Sequence, residues 1–161
     1  LPGVGSFGVG MRRLDELGLT ELLPDLIAGG RPVLAVCLGL QLLCRSSDES
    51  PGVAGLGVLD AVVTRFEQVG PERICVPQLG WNRVQIAGEA ALLRDGYAYF
   101  ANSYRIAAQP PDTLAAMSTH GAPFVAAIER GALLGCQFHP ELSGSWGQQL
   151  IERWLGRGDS C

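Results

Sequence analysis

The sequence predicts an α/β protein, and three features of its 161 residues support this class. The stretch from Pro32 to Leu43 passes from a short apolar run into apolar residues at helical spacing, which is typical of a buried strand followed by a helix. From Val62 onward the chain contains mainly short segments with strand character. A last segment has one apolar helical face, formed by Trp146, Leu150, Ile151, Trp154 and Leu155.

Length and composition indicate one globular domain, residues 1–161, with 47% apolar and 17% charged residues. The charged fraction is below the usual value of about 25%, which suggests that part of the surface is normally covered. The net charge is −4 (12 basic minus 16 acidic residues) without a basic run, which argues against a nucleic-acid partner. The apolar run Val33 to Cys44 is too short to cross a bilayer.

The five cysteines form no CxxC pair, and the chain has only two histidines, so the sequence predicts neither a metal site nor a cofactor. Free thiols in a reducing cytosol explain the five cysteines more simply than a disulfide framework. The sequence also shows no signal-like segment. We therefore expect a cytoplasmic protein. The cysteines are Cys37, Cys44, Cys75, Cys136 and Cys161.

The first half of the chain begins at Leu1–Gly5, which predicts a strand end that runs into a glycine-rich loop able to approach a ligand. An ordinary tight turn is the alternative. Val9–Leu17 has helical spacing, and a second helix is predicted through Ile27 with Thr20 as its cap. The strand and helix around Cys37 follow and complete a βα unit.

In the second half we predict strands at Val62–Phe66, Arg73–Val76, Asn82–Ile86, Tyr97–Ile106 and Thr113–Ser118, and a short helix at Glu89–Arg94. A hairpin turn at Glu129–Gly131 is expected to join Phe124–Ile128 to Leu133–Phe138. The terminal helix would be capped by Ser143 or Ser145.

Cys37 is a candidate nucleophile because it lies at the predicted junction of strand and helix. Ala35 and Gly39 are small, as a sharp turn that projects a nucleophile requires. Backbone N–H groups and the dipole at a helix N-terminus would lower the pKa of the thiol. The alternative is that Cys37 is only a small buried apolar residue.

His139 and Glu141 are candidates for a base and the group that orients it. They directly follow the last predicted strand, and in extended backbone residues two apart point to the same side. A carboxylate beside an imidazole fixes its tautomer and stabilises its protonated form. The alternative is a surface histidine that happens to lie near an acid.

Five segments together resemble the class I glutamine amidotransferases, in the same order and spacing. Among these enzymes the match is nearest to the glutaminase subunits of imidazole glycerol phosphate synthases. The resemblance implies a three-layer α/β fold, with a flavodoxin-like parallel core sheet and a smaller antiparallel sheet. The segments are Leu1–Gly8 (LPGVGSFG), Pro32–Leu43 (PVLAVCLGLQLL), Val76–Asn82 (VPQLGWN), Tyr99–Tyr104 (YFANSY) and Gly135–Gly144 (GCQFHPELSG).

The resemblance also implies catalytic roles. Cys37 would attack the carboxamide of glutamine, His139 would transfer a proton to departing ammonia, and Glu141 would orient His139. The oxyanion hole would consist of the Leu38 N–H and one N–H from Gly3 or Val4.

For the substrate and the partner, the resemblance implies further residues. Gln41, Ser103 and Tyr104 would hold glutamine, and the ammonia would pass to a (β/α)8 cyclase subunit in a heterodimer. Such a cyclase forms imidazole glycerol phosphate and an aminoimidazole carboxamide ribotide in histidine biosynthesis. The partner interface would include Gln78, Gly80, Trp81 and Asn82, for which a buried tryptophan in a turn is the alternative.

The sequence departs from the family pattern in side chains and in extent. Ala35 stands where glycine is common, Gln78 and Asn102 where histidines are common, and Leu142 where lysine is common. A strand, a helix and a second strand usually precede the first loop, at least about 30 residues, so we expect an N-terminally truncated form of the fold. The alternatives are a non-catalytic module that binds the cyclase and a glutaminase that serves another synthase.

Overall fold

The computed structural model describes residues 1–67 and 73–156, and in these ranges the strands form a seven-stranded and a three-stranded sheet. The large sheet has the order β1-β2-β10-β9-β8-β5-β6, and the small sheet has the order β3-β4-β7. The strands are β1 (Pro2–Gly3), β2 (Val33–Cys37), β3 (Ser46–Ser47), β4 (Val62–Arg65), β5 (Gln78–Ile86), β6 (Gly96–Asn102), β7 (Tyr104–Ile106), β8 (Leu114–His120), β9 (Ala122–Arg130) and β10 (Leu133–Cys136).

The helices are α1 (Phe7–Glu16), α2 (Leu19–Ala28), α3 (Leu38–Leu42) and α4 (Gly144–Leu155), with a 3-10 turn at Pro140–Leu142. Helix α1 buries Phe7, Met11 and Leu14, which recur at helical spacing. No helix in the described part of the chain is both long and apolar enough to cross a membrane.

The parallel part of the large sheet determines where the candidate site lies. β1 and β10 both pair in parallel with β2, and Gly3 lies beside Cys37 in register. The carboxyl ends of these three strands therefore meet at one edge of the sheet. The loop after β1, the start of α3 and the segment after β10 all leave the sheet at that edge.

The other four strands of this sheet pair antiparallel and hold much of the core. Phe100 contacts both Phe124 and Phe138 edge to face, at 5.5 and 5.8 Å between ring centroids, and all three rings are fully buried. Edge-to-face packing of this kind adds to the free energy gained by burial. β6 is the last strand of this antiparallel part, and from its end the chain runs through Ser103 to Tyr104 at the start of β7.

Most predicted elements are present with boundaries shifted by a few residues. The hairpin joins β9 to β10 as expected, and the predicted strand Tyr97–Ile106 is divided into β6 and β7. Cys161 lies outside the described residues. Cys37, Cys44, Cys75 and Cys136 are free thiols.

Three predictions of local structure are wrong. Arg73–Val76 is not a strand. Glu89–Arg94 is not a helix, because the buried Glu129 carboxylate accepts the backbone N–H groups of Leu92 and Leu93, at 2.8 and 2.6 Å. Thr20 does not cap α2, since Gly18 occupies the N-cap position in the left-handed region, with φ 66°.

Candidate active site

Cys37 lies at the tip of a sharp turn between β2 and α3. It ends the strand, occupies the N-cap position of the helix, and has φ 53° and ψ −112°, a strained conformation for a residue with a side chain. The absence of a side chain at Gly39 lets Leu1, just before β1, lie against α3: a Cβ on Gly39 would lie 1.9 Å from the Leu1 carbonyl oxygen. The predicted elbow is therefore present.

The net pKa of the Cys37 thiol is raised rather than lowered, although the backbone N–H at the helix start acts in the predicted direction. Burial raises the pKa of Cys37 above its ordinary value, and the Glu141 carboxylate raises it further. Hydrogen bonds from the Leu38 backbone N–H and the Gln137 amide lower the pKa, but they are smaller effects than burial. A helix of only five residues supplies little dipole to oppose the loss of solvent.

His139 is held on three sides. Its backbone N–H donates to the Tyr99 carbonyl oxygen at 2.9 Å, and its carbonyl oxygen accepts the Ser143 hydroxyl at 2.6 Å. Its Nδ1 lies 2.8 Å from the Glu141 carboxylate. With Nδ1 engaged, Nε2 is the ring nitrogen that can exchange a proton with a substrate or a thiol.

Cys37 ends β2 and His139 follows β10, 102 positions later in the sequence, yet both line one cavity of about 300 Å³. Glu141 lies behind the imidazole and is half exposed. The cavity wall also includes most of the other predicted site residues: Val4, Leu38, Gln41, Ser103 and Tyr104. Gly3 is not in the wall; it lies beside Cys37 through the β1–β2 register.

Gln137 is a site residue that the sequence analysis missed. It is fully buried, and its amide nitrogen lies 3.7 Å from the Cys37 sulfur. Its amide oxygen accepts the Gln41 side chain at 2.9 Å, and Gln41 also donates to the Tyr104 carbonyl oxygen at 3.1 Å. A signal was available, because Gln137 lies only two residues before His139 in the segment that follows β10.

Glu49 is a second residue that was missed. It lines the cavity, and its carboxylate accepts the Phe7 N–H at the start of α1, at 2.6 Å. It is the one acidic residue in the cavity wall among the residues that the structure describes. It lies in a loop without periodicity, and only the tertiary fold brings it to the site.

The predicted interface residues differ in exposure. Trp81 is 57% exposed on β5 and packs edge to face on Tyr99, with ring centroids 6.3 Å apart, so a buried tryptophan in a turn is wrong. Gly80 and Asn82 are partly exposed, and the Asn82 amide donates to the Thr119 carbonyl oxygen at 2.7 Å. Gln78, in contrast, is only 5% exposed.

The surroundings of these residues extend the exposed apolar surface. Leu79 and Tyr97, on the same two strands, and Leu142, after His139, are each more than half exposed. We call the surface that consists of Leu79, Trp81, Tyr97 and Leu142 the outer face of β5 and β6. Ala35, in contrast, is fully buried in β2. Within residues 1–67 and 73–156, no cluster of histidine, cysteine and acidic side chains could hold a metal ion.

The chain is similar in sequence to known proteins. The family model of class-I glutamine amidotransferases matches residues 2–155. The imidazole glycerol phosphate synthase subunit HisH of Symbiobacterium thermophilum is 40% identical over 158 residues, which are 96% of this chain and 73% of that protein. HisH of Deinococcus radiodurans is 41% identical over 155 residues, 94% of this chain and 71% of the relative.

A plant relative and a solved structure extend the comparison. The chloroplastic imidazole glycerol phosphate synthase hisHF of Arabidopsis thaliana is 39% identical over 96% of this chain and 26% of its own length. A crystal structure of a glutamine amidotransferase superposes with a TM-score of 0.69 at 20% identity, over 96% of this chain and 75% of that one. The fold class predicted from the sequence is confirmed.

Proposed function

Because this chain belongs to the class I glutamine amidotransferase family, we propose that it hydrolyses glutamine to glutamate and ammonia and supplies the ammonia to a cyclase subunit of imidazole glycerol phosphate synthase. The observation that supports this most directly is the shared cavity of Cys37 and His139, with Glu141 on the far side of the imidazole. These are a nucleophile, a base and an orienting group in the order that acyl transfer requires.

In the first step His139 Nε2 takes the thiol proton of Cys37, and the sulfur attacks the side-chain carboxamide carbon of glutamine. The negative charge that forms on the carboxamide oxygen is stabilised by the Leu38 N–H and an N–H of Gly3 or Val4. The imidazolium then gives its proton to the amide nitrogen, the C–N bond breaks, and ammonia leaves.

The second step removes the acyl group from the enzyme. His139 accepts a proton from water, whose oxygen attacks the thioester, and the C–S bond breaks to release glutamate and regenerate Cys37. Throughout, the Glu141 carboxylate holds the proton on Nδ1 and stabilises the imidazolium. Gln137 restrains the thiol and Gln41 through its hydrogen bonds, so both are held in place before glutamine arrives.

The substrate end of the cavity suits an amino acid. The Glu49 carboxylate is placed to pair with the α-ammonium of glutamine, and Ser103 and Tyr104 offer backbone and hydroxyl groups to its α-carboxylate. Gln41 completes this wall.

Two observations support a cyclase partner: the names of the relatives and the exposed apolar surface of this chain. The bacterial relatives are described as subunits of imidazole glycerol phosphate synthase, and the longer plant relative as a whole synthase. A (β/α)8 cyclase would cover the outer face of β5 and β6, where Trp81 is an aromatic anchor of the kind that dominates binding energies. The heterodimer would act in histidine biosynthesis in the cytoplasm.

The experiment is to measure glutamate released from glutamine by the chain with a cyclase subunit and its acceptor ligand. Cys37→Ser is expected to lower the rate by about 10⁴-fold or more. Cys44→Ser is the matched control, because Cys44 is also a buried thiol but lies outside the cavity wall.

The outcomes separate the proposal from its alternatives. Release that depends on Cys37 and increases with the cyclase supports a coupled glutaminase. A chain that binds the cyclase but releases no glutamate under any condition would be a non-catalytic module. Release without binding to the cyclase would indicate another acceptor synthase.

A further inference from the structure

Gln137 is fully buried although its side chain ends in a carboxamide. It directly follows β10, between Cys136 and Phe138, which are also fully buried. Its backbone N–H donates to the Ala126 carbonyl oxygen at 2.8 Å, which anchors the main chain to β9. A polar side chain at this depth must find its hydrogen-bond partners within the protein. The partners of the Gln137 side chain therefore indicate what it does.

A chain of hydrogen bonds that begins at the Tyr104 backbone fixes which way the Gln137 carboxamide faces. The Tyr104 carbonyl oxygen can only accept, so the group of Gln41 that lies 3.1 Å from it is the amide nitrogen. The same nitrogen lies 2.9 Å from the Gln137 carboxamide and must donate there to its oxygen. The Gln137 amide nitrogen is thereby directed at the Cys37 sulfur, 3.7 Å away.

The Cys37 sulfur thus faces a neutral donor inside the protein. A carboxamide keeps its N–H protons throughout the neutral pH range. A hydrogen bond from such a donor is stronger to a charged than to a neutral acceptor, and burial strengthens it further. The bond from Gln137 lowers the pKa of the Cys37 thiol, in opposition to the larger effect of burial. Gln137 therefore favours the thiolate over the thiol.

We propose that Gln137 is a further catalytic residue, whose amide N–H stabilises the Cys37 sulfur each time this atom carries negative charge. The proposal rests on the glutaminase function proposed above. Before the attack on glutamine, the thiol proton moves to His139 Nε2 and the electron pair of the S–H bond stays on sulfur. When the acyl-enzyme is hydrolysed, the electron pair of the C–S bond returns to sulfur, which then takes a proton from the imidazolium. Gln137 donates to the sulfur in both steps.

Gln137 and Gln41 have different roles in this arrangement. Gln137 contacts the reacting sulfur, whereas Gln41 acts on the sulfur only by holding the Gln137 oxygen. Gln41 is therefore a positioning residue for this donor, in addition to its place in the cavity wall. Without Gln41, the Gln137 carboxamide could turn and present its oxygen to the sulfur, which would disfavour the thiolate.

The first test is alkylation of Cys37 by iodoacetamide in the free chain, which needs no substrate and no partner. Gln137→Met keeps the length of the side chain and removes the donor. At about pH 7 alkylation should slow roughly fivefold, because fewer thiols are ionised while each thiolate is somewhat more nucleophilic. The variant leaves unchanged the titratable groups around the thiol: Glu49 in the loop after α3, Tyr104 at the start of β7, and His139 and Glu141 after β10.

The second test measures glutamate release by the chain assembled with the cyclase and its acceptor ligand. In Gln137→Met, kcat should fall roughly tenfold, the effect of losing one hydrogen bond to a charged atom, while KM stays near the wild-type value. Gln41→Met should slow alkylation by a smaller factor than Gln137→Met, and it should add nothing in the double variant. Gln148→Met, at an exposed glutamine on α4 that bonds Glu152, is the matched control and should keep the wild-type rates.

Alkylation at the wild-type rate in Gln137→Met would overturn the proposal, even if glutamate release slows, because Gln137 would then only shape the cavity wall. If Gln137→Met does not fold, Gln41→Met decides, and alkylation at the wild-type rate in that variant would overturn the proposal. Failure of the proposed function gives a different result: the wild-type complex itself would release no glutamate, while the alkylation rates would still differ between the variants. The two failures are therefore distinguishable.

Discussion

Around the Cys37 cavity, two regions differ in how they are built. At the elbow, Cys37, Leu38 and Gly39 are buried, and the backbone of β1 lies against the first turn of α3. On the outer face of β5 and β6, Leu79 and Trp81 are 67% and 57% exposed. The elbow depends on closely packed backbone, whereas the outer face consists of large apolar side chains that are more than half exposed.

This difference has a consequence for function. The chemistry proposed at Cys37 would need a fixed thiol and fixed N–H groups, and close packing would supply both. Recognition of a partner needs apolar area that is still exposed in the free chain. We expect changes at the elbow to alter folding and catalysis, and changes at the outer face to alter assembly alone.

The largest effect is expected for Gly39→Ala. Its Cβ would lie 1.9 Å from the Leu1 carbonyl oxygen, so β1 or α3 must move. We expect the free energy of unfolding to fall by about 3 kcal/mol and glutamine hydrolysis to be lost. Urea denaturation measures the first quantity, and glutamate release measures the second.

The control for this variant is Gly156→Ala. Gly156 has helical φ −64°, and a Cβ there would contact nothing within 4 Å, so stability should change by less than about 0.5 kcal/mol. A Gly39→Ala chain as stable as the wild type would show that the elbow is not closely packed.

An intermediate effect is expected for Trp81→Ala. Removal of this exposed ring should weaken binding of the cyclase by about 2 kcal/mol, roughly 30-fold in Kd. Stability of the free chain should change little. Titration calorimetry with the cyclase measures the affinity.

Leu155→Ala, at a 59% exposed residue on α4, tests whether the loss is specific to the outer face. Its affinity for the cyclase should equal that of the wild type. Equal losses in both variants would refute the assignment of this face as the interface.

The smallest effect concerns the reactivity of Cys37 in the free chain. Because burial raises the pKa of this thiol, the thiolate is a minor form at neutral pH. Alkylation of Cys37 by iodoacetamide should therefore rise about tenfold per pH unit from about pH 7 to about pH 9. Mass spectrometry of the Cys37 peptide separates this reaction from that of the exposed Cys75.

The Glu141→Gln variant tests the electrostatic part of the Cys37 pKa shift with the same alkylation measurement. The Glu141 carboxylate raises the pKa of Cys37, so its removal should lower that pKa and speed alkylation, while glutamine hydrolysis slows. Glu152→Gln, on α4, should change neither rate. Alkylation slowed by Glu141→Gln would contradict the assigned direction.

Much of the fold was predictable because its signals are local. The strand, the turn at Cys37 and the helix lie within twelve residues, and the His139–Glu141 pair lies within three. The turn residues at Glu129–Gly131 predicted a hairpin, and β9 and β10 do pair antiparallel. The helix predicted at Glu89–Arg94 is absent for a reason that no local pattern shows. The distant Glu129 carboxylate accepts backbone N–H groups that a helix would have used in its own hydrogen bonds.

The sequence by itself determined most of the elements and the candidates for nucleophile, base and orienting carboxylate, because short spacing decides which side chains share a strand end or a turn. Only the tertiary structure decided that Glu49 and Gln137 join the site, that burial raises the pKa of Cys37, and that Gln78 and Asn102 lie buried side by side. The physical reason is that burial and hydrogen bonding depend on contacts between residues far apart in the chain, and no local pattern records them.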